Sequence, residues 1–182
     1  MKAIPVPEIE GVYLFEPAPH VDVRGFFSRT FDREVVASVG IDPDGFAQDS
    51  LSRSRKGVVR GMHLRGGAGE SKLVRCSHGA IFDVVVDLRP DSPTFRNIKT
   101  FELSGETQVS VYIPAGCAHG FQSLTDPSDV SYRIDRAHNP NEDITISYKD
   151  PELDISWPLS VTLASDRDER APSLGEALKP TR

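Results

Sequence analysis

The sequence predicts an all-β chain built as a sandwich or barrel. Short runs rich in Val, Ile, Phe and Tyr recur along its whole length, and 14 Gly and 14 Pro are spread between them as turn punctuation. Only two short segments read as helices. At 182 residues the chain suits one domain spanning 1–182. With 38% hydrophobic and 26% charged residues it is globular, not disordered. It has no run of about 18 apolar residues to span a bilayer, and its first residues lack the apolar block of a signal peptide. Cys76 and Cys117 have no metal-knuckle spacing, so a reducing cytoplasm is expected. A net charge of −6 disfavours a general affinity for nucleic acid or anionic membranes. An anionic ligand would need a local basic cluster.

The elements follow in order. Val12–Phe15 and Gly25–Arg29 are the first strand candidates. Asp32–Val39 reads as a helix, with an N-cap Asp, an acidic first turn and Gly40 closing it. Ala47–Ser52, Val58–His63 and Lys72–Cys76 are strands next. Ala80–Leu88 is the clearest, because its Asp residues make Ile81–Asp87 half-alternating, as expected of a strand packed mainly on one face. Lys99–Leu103, Val109–Ile113, Gly120–Ser123, Ser131–Asp135 and Thr145–Tyr148 complete the set. After Ser165 a polar, Pro-containing end packs back or frays, with a short turn or helix at Leu174–Leu178. There is no internal repeat and no linker.

Three chemistries compete for the polar residues. The first is a metal. Pro114–His119 (PxGxxH) resembles the second half of the cupin signature, whose first half needs two His separated by one residue. Here the chain reads His63-Leu64-Arg65, and Arg65 sets a fixed positive charge where the second imidazole belongs. Glu70 has the wrong spacing to compensate. Cupin architecture with no metal is the better reading. The second is an anion site, with Arg24, Arg60 and Lys72 in or beside strand candidates and Arg65 and Arg75 close by. No Gly-rich phosphate loop is present, so side chains would hold the ligand. The third is proton transfer at carbon, which needs a base, an acid on the opposite face and a stabiliser for the developing enolate. His63 is the candidate base, Tyr132 the acid, and Lys72 or His119 the stabiliser. Asp168 and Asp83 are both possible partners for the base. Spacing alone leaves each of these residues equally open to a structural role.

Read as ordered segments, the chain resembles the dTDP-4-dehydrorhamnose 3,5-epimerases. The matching runs include Asp22–Phe27 (DVRGFF), Gln48-Asp49-Ser50, Val59–His63 (VRGMH), Lys72–Cys76 (KLVRC), Gly79–Arg89, Ser92–Phe95, Ile113–Phe121 (IPAGCAHGF), Asp150-Pro151, Ile155–Pro158 and Ser165–Asp168. The resemblance implies a cupin-like jelly roll, a homodimer, no metal and no organic cofactor. The implied substrate is a nucleoside-diphosphate 4-keto-6-deoxyhexose that is inverted at C3 and C5. It further implies His63 as base, Asp168 as its carboxylate partner, Tyr132 as proton donor and Lys72 near the 4-keto oxygen. Arg24, Gln48, Asp49, Arg60 and His119 fall on ligand-binding positions, with Ser50, Asp143 and Arg167 at less well-matched ones. Departures stand out at four positions. Arg29 replaces a Glu, His138 replaces the aromatic that stacks on the base, and Ser50 and Arg65 replace Asn and Gln. Inversion at C3 alone, another nucleotide sugar, and a non-catalytic cupin-fold binding protein are the alternatives.

Overall fold

The computed structural model describes residues 1–179. Its strands are Lys2–Pro5 (β1), Tyr13–Glu16 (β2), His20–Asp22 (β3), Gly25–Phe27 (β4), Gln48–Ser54 (β5), Val59–Arg65 (β6), Lys72–His78 (β7), Ala80–Asp87 (β8), Ile98–Ser104 (β9), Ser110–Ile113 (β10), Cys117–Ser123 (β11), Ser128–Ile134 (β12) and Asp143–Thr145 (β13). They form a six-stranded sheet ordered β1-β2-β10-β7-β12-β5, a five-stranded sheet ordered β13-β6-β11-β8-β9, and a separate β3-β4 hairpin. All pairings between strands are antiparallel among the described residues. The result is a jelly-roll sandwich, as expected of an all-β chain.

Side chains alternate across each sheet, so every second residue enters the space between the two. Val74 and Cys76 on β7, Val111 and Ile113 on β10, and Val130 on β12 meet Ile81 and Val85 on β8 and Cys117 and Phe121 on β11. That cluster is the core. Met62, Val84, Val86 and Ala118 leave the other face of the five-stranded sheet, where Ile146, Leu153 and Leu174 from the C-terminal segment cover them. Burial pushes Cys76 up to about 11 and Cys117 up to about 12, so neither thiol is a nucleophile near neutral pH.

The helices match expectation closely. Arg33–Ser38 (α1) starts at Asp32, whose side chain accepts from the Glu34 and Val35 N–H groups, and Gly40 follows at φ +81°. Leu174–Ala177 (α3) carries a capping box of Ser173 and Glu176.

Several sequence expectations need correction. The Gly120–Ser123 strand begins earlier, at Cys117, so His119 lies within a strand and not in a turn before one. The strand expected at Thr145–Tyr148 is Asp143–Thr145, because Ile146 and Tyr148 turn into the outer apolar clusters. Lys2–Pro5 and His20–Asp22 are additional strands. The first tolerates Pro5 because it is a sheet edge. The end after Ser165 packs back and contains a helical turn, Asp166–Glu169 (α2). No helix among the described residues is long and apolar enough to cross a membrane.

Candidate active site

At one end of the sandwich the core gives way to polar side chains, and a cavity of about 300 Å³ opens there. The six-stranded sheet contributes Ser50 and Ser52 from β5, Lys72 from β7 and Tyr132 from β12. The five-stranded sheet contributes Arg60, His63 and Arg65 from β6, His119 from β11 and Asp143 from β13. Glu70, His138 and Arg167 close the rim.

The placement of Arg60 and His63 depends on a break in the ladder. Strict alternation would send residues three apart to opposite faces. Between the pairs His63↔His119 and Phe121↔Arg60, β6 carries one residue more than β11, a bulge that turns both side chains inward. Two glycines permit it. A Cβ on Gly61 would lie 2.5 Å from the Gly120 Cα, and one on Gly120 would lie 2.6 Å from the Met62 Sδ.

Each histidine is held by a carboxylate. His63 Nε2 lies 2.7 Å from Asp168 Oδ1, and His119 Nε2 lies 2.7 Å from Asp83 Oδ2. A carboxylate oxygen accepts, so in each pair Nε2 donates, and in the neutral form of the ring Nδ1 is the free acceptor. Asp168 arrives from far along the chain. The C-terminal segment runs beside β6, with the Val59 N–H donating to the Leu163 carbonyl at 3.0 Å. Ser165 then caps α2 by accepting from the Asp168 N–H, which fixes the carboxylate behind His63. Burial alone would raise the Asp168 pKa, but the His63 hydrogen bond and charge and the Ser165 hydroxyl outweigh it and hold the carboxyl below its usual range. Asp83 sits diagonally across from His119, since His119 faces Val85 and Asp83 is two residues on. Of the two partners the sequence left open for His63, the structure pairs Asp168 with it and gives Asp83 to His119.

Tyr132 projects into the same space. Its ring meets His119 edge-on at 6.3 Å, and its hydroxyl lies 3.4 Å from Ser52 Oγ. Burial pushes its pKa well up, so it holds its proton through and beyond the neutral range. Lys72 Nζ pairs with Glu70 Oε1 at 3.2 Å. Arg60 donates to neutral partners, Ser54 Oγ at 3.0 Å and the Arg53 carbonyl at 3.1 Å, and no carboxylate pairs with it among the described residues. Arg167 donates to Asp143 Oδ2 at 2.9 Å and to Thr145 Oγ1.

Besides Asp168 and Asp83 behind the histidines, five sequence candidates lie outside this cavity, among them Arg75, which donates to Gln108 Oε1. Arg24 is exposed on the hairpin and pairs with Asp22. Arg29 pairs with Asp32 at 2.8 Å. Gln48 is exposed on β5, and Asp49 accepts from Arg133 at 3.0 Å on the opposite face of the sheet. Conversely, Ser52 lines the cavity unforeseen, although its spacing of two from Ser50 on an alternating strand was the available signal. Glu70, which the sequence offers only as a poorly spaced metal ligand, instead pairs with two cations. Among the described residues no group of three or more His, Cys, Asp or Glu side chains is arranged to hold a metal ion.

A family model described as dTDP-4-dehydrorhamnose 3,5-epimerase matches residues 7–176. The chain belongs to that family. The dTDP-4-dehydrorhamnose 3,5-epimerase of Escherichia coli K12 is 40% identical over 174 residues, covering 94% of each chain. A dTDP-4-dehydrorhamnose 3-epimerase of Streptomyces niveus is 38% identical, over 93% of this chain and 82% of its own. Among solved structures, the dTDP-6-deoxy-D-glucose-3,5-epimerase of Legionella pneumophila, in complex with dTDP-4-keto-L-rhamnose, aligns with a TM-score of 0.89 at 38% identity. That match covers 96% of this chain and 93% of the other. The ordered motifs and the cupin-like jelly roll therefore have their expected explanation, and the enzyme class is that of an epimerase.

Proposed function

We propose that the chain, acting as one domain and without a cofactor, inverts C3 and C5 of dTDP-4-dehydro-6-deoxy-D-glucose to give dTDP-4-dehydro-L-rhamnose. One observation carries this reading: His63 and Tyr132 come from opposite sheets and line a single cavity. The C4 carbonyl acidifies both neighbouring C–H bonds. His63 takes a proton on Nδ1 while Asp168 supports the resulting imidazolium through Nε2–H. The electron pair moves onto the C4 oxygen, where the Lys72 ammonium stabilises the enolate, with His119 alongside. Tyr132 returns a proton to the opposite face and is itself reprotonated from solvent, while the His63 imidazolium releases its proton to solvent. The same steps then act at the second carbon. Arg60 and Arg167 serve the diphosphate, Ser50 and Asp143 line its approach, and His138 stacks on the base.

Turnover of dTDP-4-keto-6-deoxyglucose in D₂O, followed by NMR and mass spectrometry, tests this. Deuterium at both C3 and C5 is expected. Deuterium at C3 alone would make the chain a 3-epimerase, the activity named for the Streptomyces niveus relative. No exchange with dTDP, CDP, GDP or UDP sugars, with binding intact, would leave a non-catalytic binding protein.

The same reading includes a homodimer. Val21, Val23, Phe26 and Phe27 on the β3-β4 hairpin are exposed, Phe27 by 73%, as is Leu51 on the β5 edge. A second copy of the chain would cover these side chains. It would also bring Arg24, Arg29, Gln48 and Asp49 to a ligand they do not meet in their own chain. Sedimentation should give a dimer, and Phe27→Ser should shift it toward monomer. A reducing cytoplasm belongs to this reading too, in keeping with two free, buried thiols.

A further inference from the structure

Around the cavity stand four basic side chains, Arg60, Arg65, Lys72 and Arg167, and two carboxylates, Glu70 and Asp143. Arg65 differs from the other three. Its guanidinium has five N–H donors, and each has an acceptor. Nε and Nη2 both donate to Glu70 Oε2, at 3.2 and 2.9 Å. Nη2 also donates to His138 Nδ1 at 3.1 Å. Nη1 donates to the Asn139 carbonyl and to Asp143 Oδ1. Its side chain is only 9% exposed. Arg60, by contrast, uses two donors, both on uncharged acceptors.

Three of the four residues that accept from Arg65, namely Glu70, His138 and Asp143, belong to the cavity wall. Glu70 turns its other oxygen to the Lys72 ammonium. Asp143 turns its other oxygen to Arg167. His138 receives a donor that can only donate, so its proton is confined to Nε2. Three ligand-facing groups on three separate segments are thus set by one guanidinium.

We propose that Arg65 is a positioning residue that orients Lys72, His138 and Arg167 and makes no contact with the ligand itself. This rests on the epimerase reading for what those three groups do. It departs from the simplest electrostatic expectation, in which every cation lining the cavity binds the diphosphate.

Arg65→Met tests it. The variant keeps the stem and removes every donor, while Glu70 retains Lys72 and Asp143 retains Arg167, so no carboxylate is left unpaired. The expected result is a kcat lowered roughly 10- to 100-fold through misplacement of the reacting groups, with affinity for inorganic pyrophosphate kept within about twofold. Arg65→Lys should not rescue, because a single ammonium cannot reach four acceptors. Glu70→Gln should lower kcat, and Arg65→Met combined with it should cost no more than the worse single change. In ¹⁵N-histidine spectra His138 should be the Nε2–H tautomer in the wild type and lose that preference in Arg65→Met. Pyrophosphate affinity falling tenfold in Arg65→Met, or full activity in Arg65→Lys, would overturn the proposal. Should Arg65→Met not fold, Arg65→Lys and Glu70→Gln decide it by the same measurements. Pyrophosphate binding and the His138 spectrum need no turnover. They therefore judge Arg65 even if the wild type exchanges no deuterium, an outcome that counts against the catalytic reading alone.

Discussion

His63 and His119 face each other on neighbouring strands, each 2.7 Å from a carboxylate through Nε2. The His63 side chain is 40% exposed and that of His119 only 6%. Their carboxylates differ as well. Asp168 has further donors in the Ser165 environment and the Gly61 N–H. Asp83 is fully buried, and its Oδ1 has no hydrogen-bond partner. Equal bond lengths therefore describe two different devices. The exposed pair can exchange a proton with a ligand and with solvent. The buried pair is held where any lost hydrogen bond goes uncompensated. The proposed reading accordingly puts the chemistry on the first ring, while the second is fixed in place beside Tyr132.

The largest test of this contrast is His63→Ala, which should cost about 10²- to 10⁴-fold in kcat, with dTDP binding retained in calorimetry. Tyr132→Phe should lose net epimerisation to a similar degree while deuterium still enters the substrate, because abstraction and return would then occur on one face. Equal loss of exchange and inversion would move Tyr132 out of the donor role. The carboxylates should separate next. Asp168→Ala should act mainly on kcat, whereas Asp83→Ala should act mainly on stability, by about 1–3 kcal/mol for a buried donor left unpaired. Thermal melts and turnover on both variants would show it, and an interchange of the two effects would reverse the assignment. The smallest effect concerns pH. Asp168 is depressed in the folded chain, so its stabilising contribution is complete above the usual Asp value of about 4 and is lost as pH falls through the lower, folded value. Denaturant titrations should show Asp168→Asn closing on the wild type only in that acid range. At the other end, the raised Tyr132 should keep its proton past the usual Tyr value of about 10, so no alkaline loss below that comes from its ionisation.

Much of the fold was legible because alternation and turn residues speak locally. Ile81–Asp87, with carboxylates breaking an apolar run, is β8 almost to the residue. The Asp32 cap placed α1 for the same reason. The site was less legible. Which Asp serves which His is decided by sheet pairing and by a segment 105 residues away, and neither has a local signature. The bulge at Gly61 is also silent in the sequence, since alternation alone separates Arg60 from His63. Arg65 reads as a charge that spoils a metal site, and its four acceptors emerge only when Glu70, His138, Asn139 and Asp143 gather around it. Arg24 and Arg29 were legible as motif positions, but nothing in the sequence says that their own chain's cavity lies elsewhere.

In the proposed reading base and acid are anchored to different sheets, so the gap between them follows the packing distance of the sandwich, about 10 Å from sheet to sheet, less the reach of the two inward side chains. That thickness is set by Val74, Cys76, Val85 and Phe121, none of which reacts. The apolar filling thus acts as a spacer gauge for the catalytic gap. A methylene added or removed there would retune which sugar ring fits between the two proton carriers without altering either one.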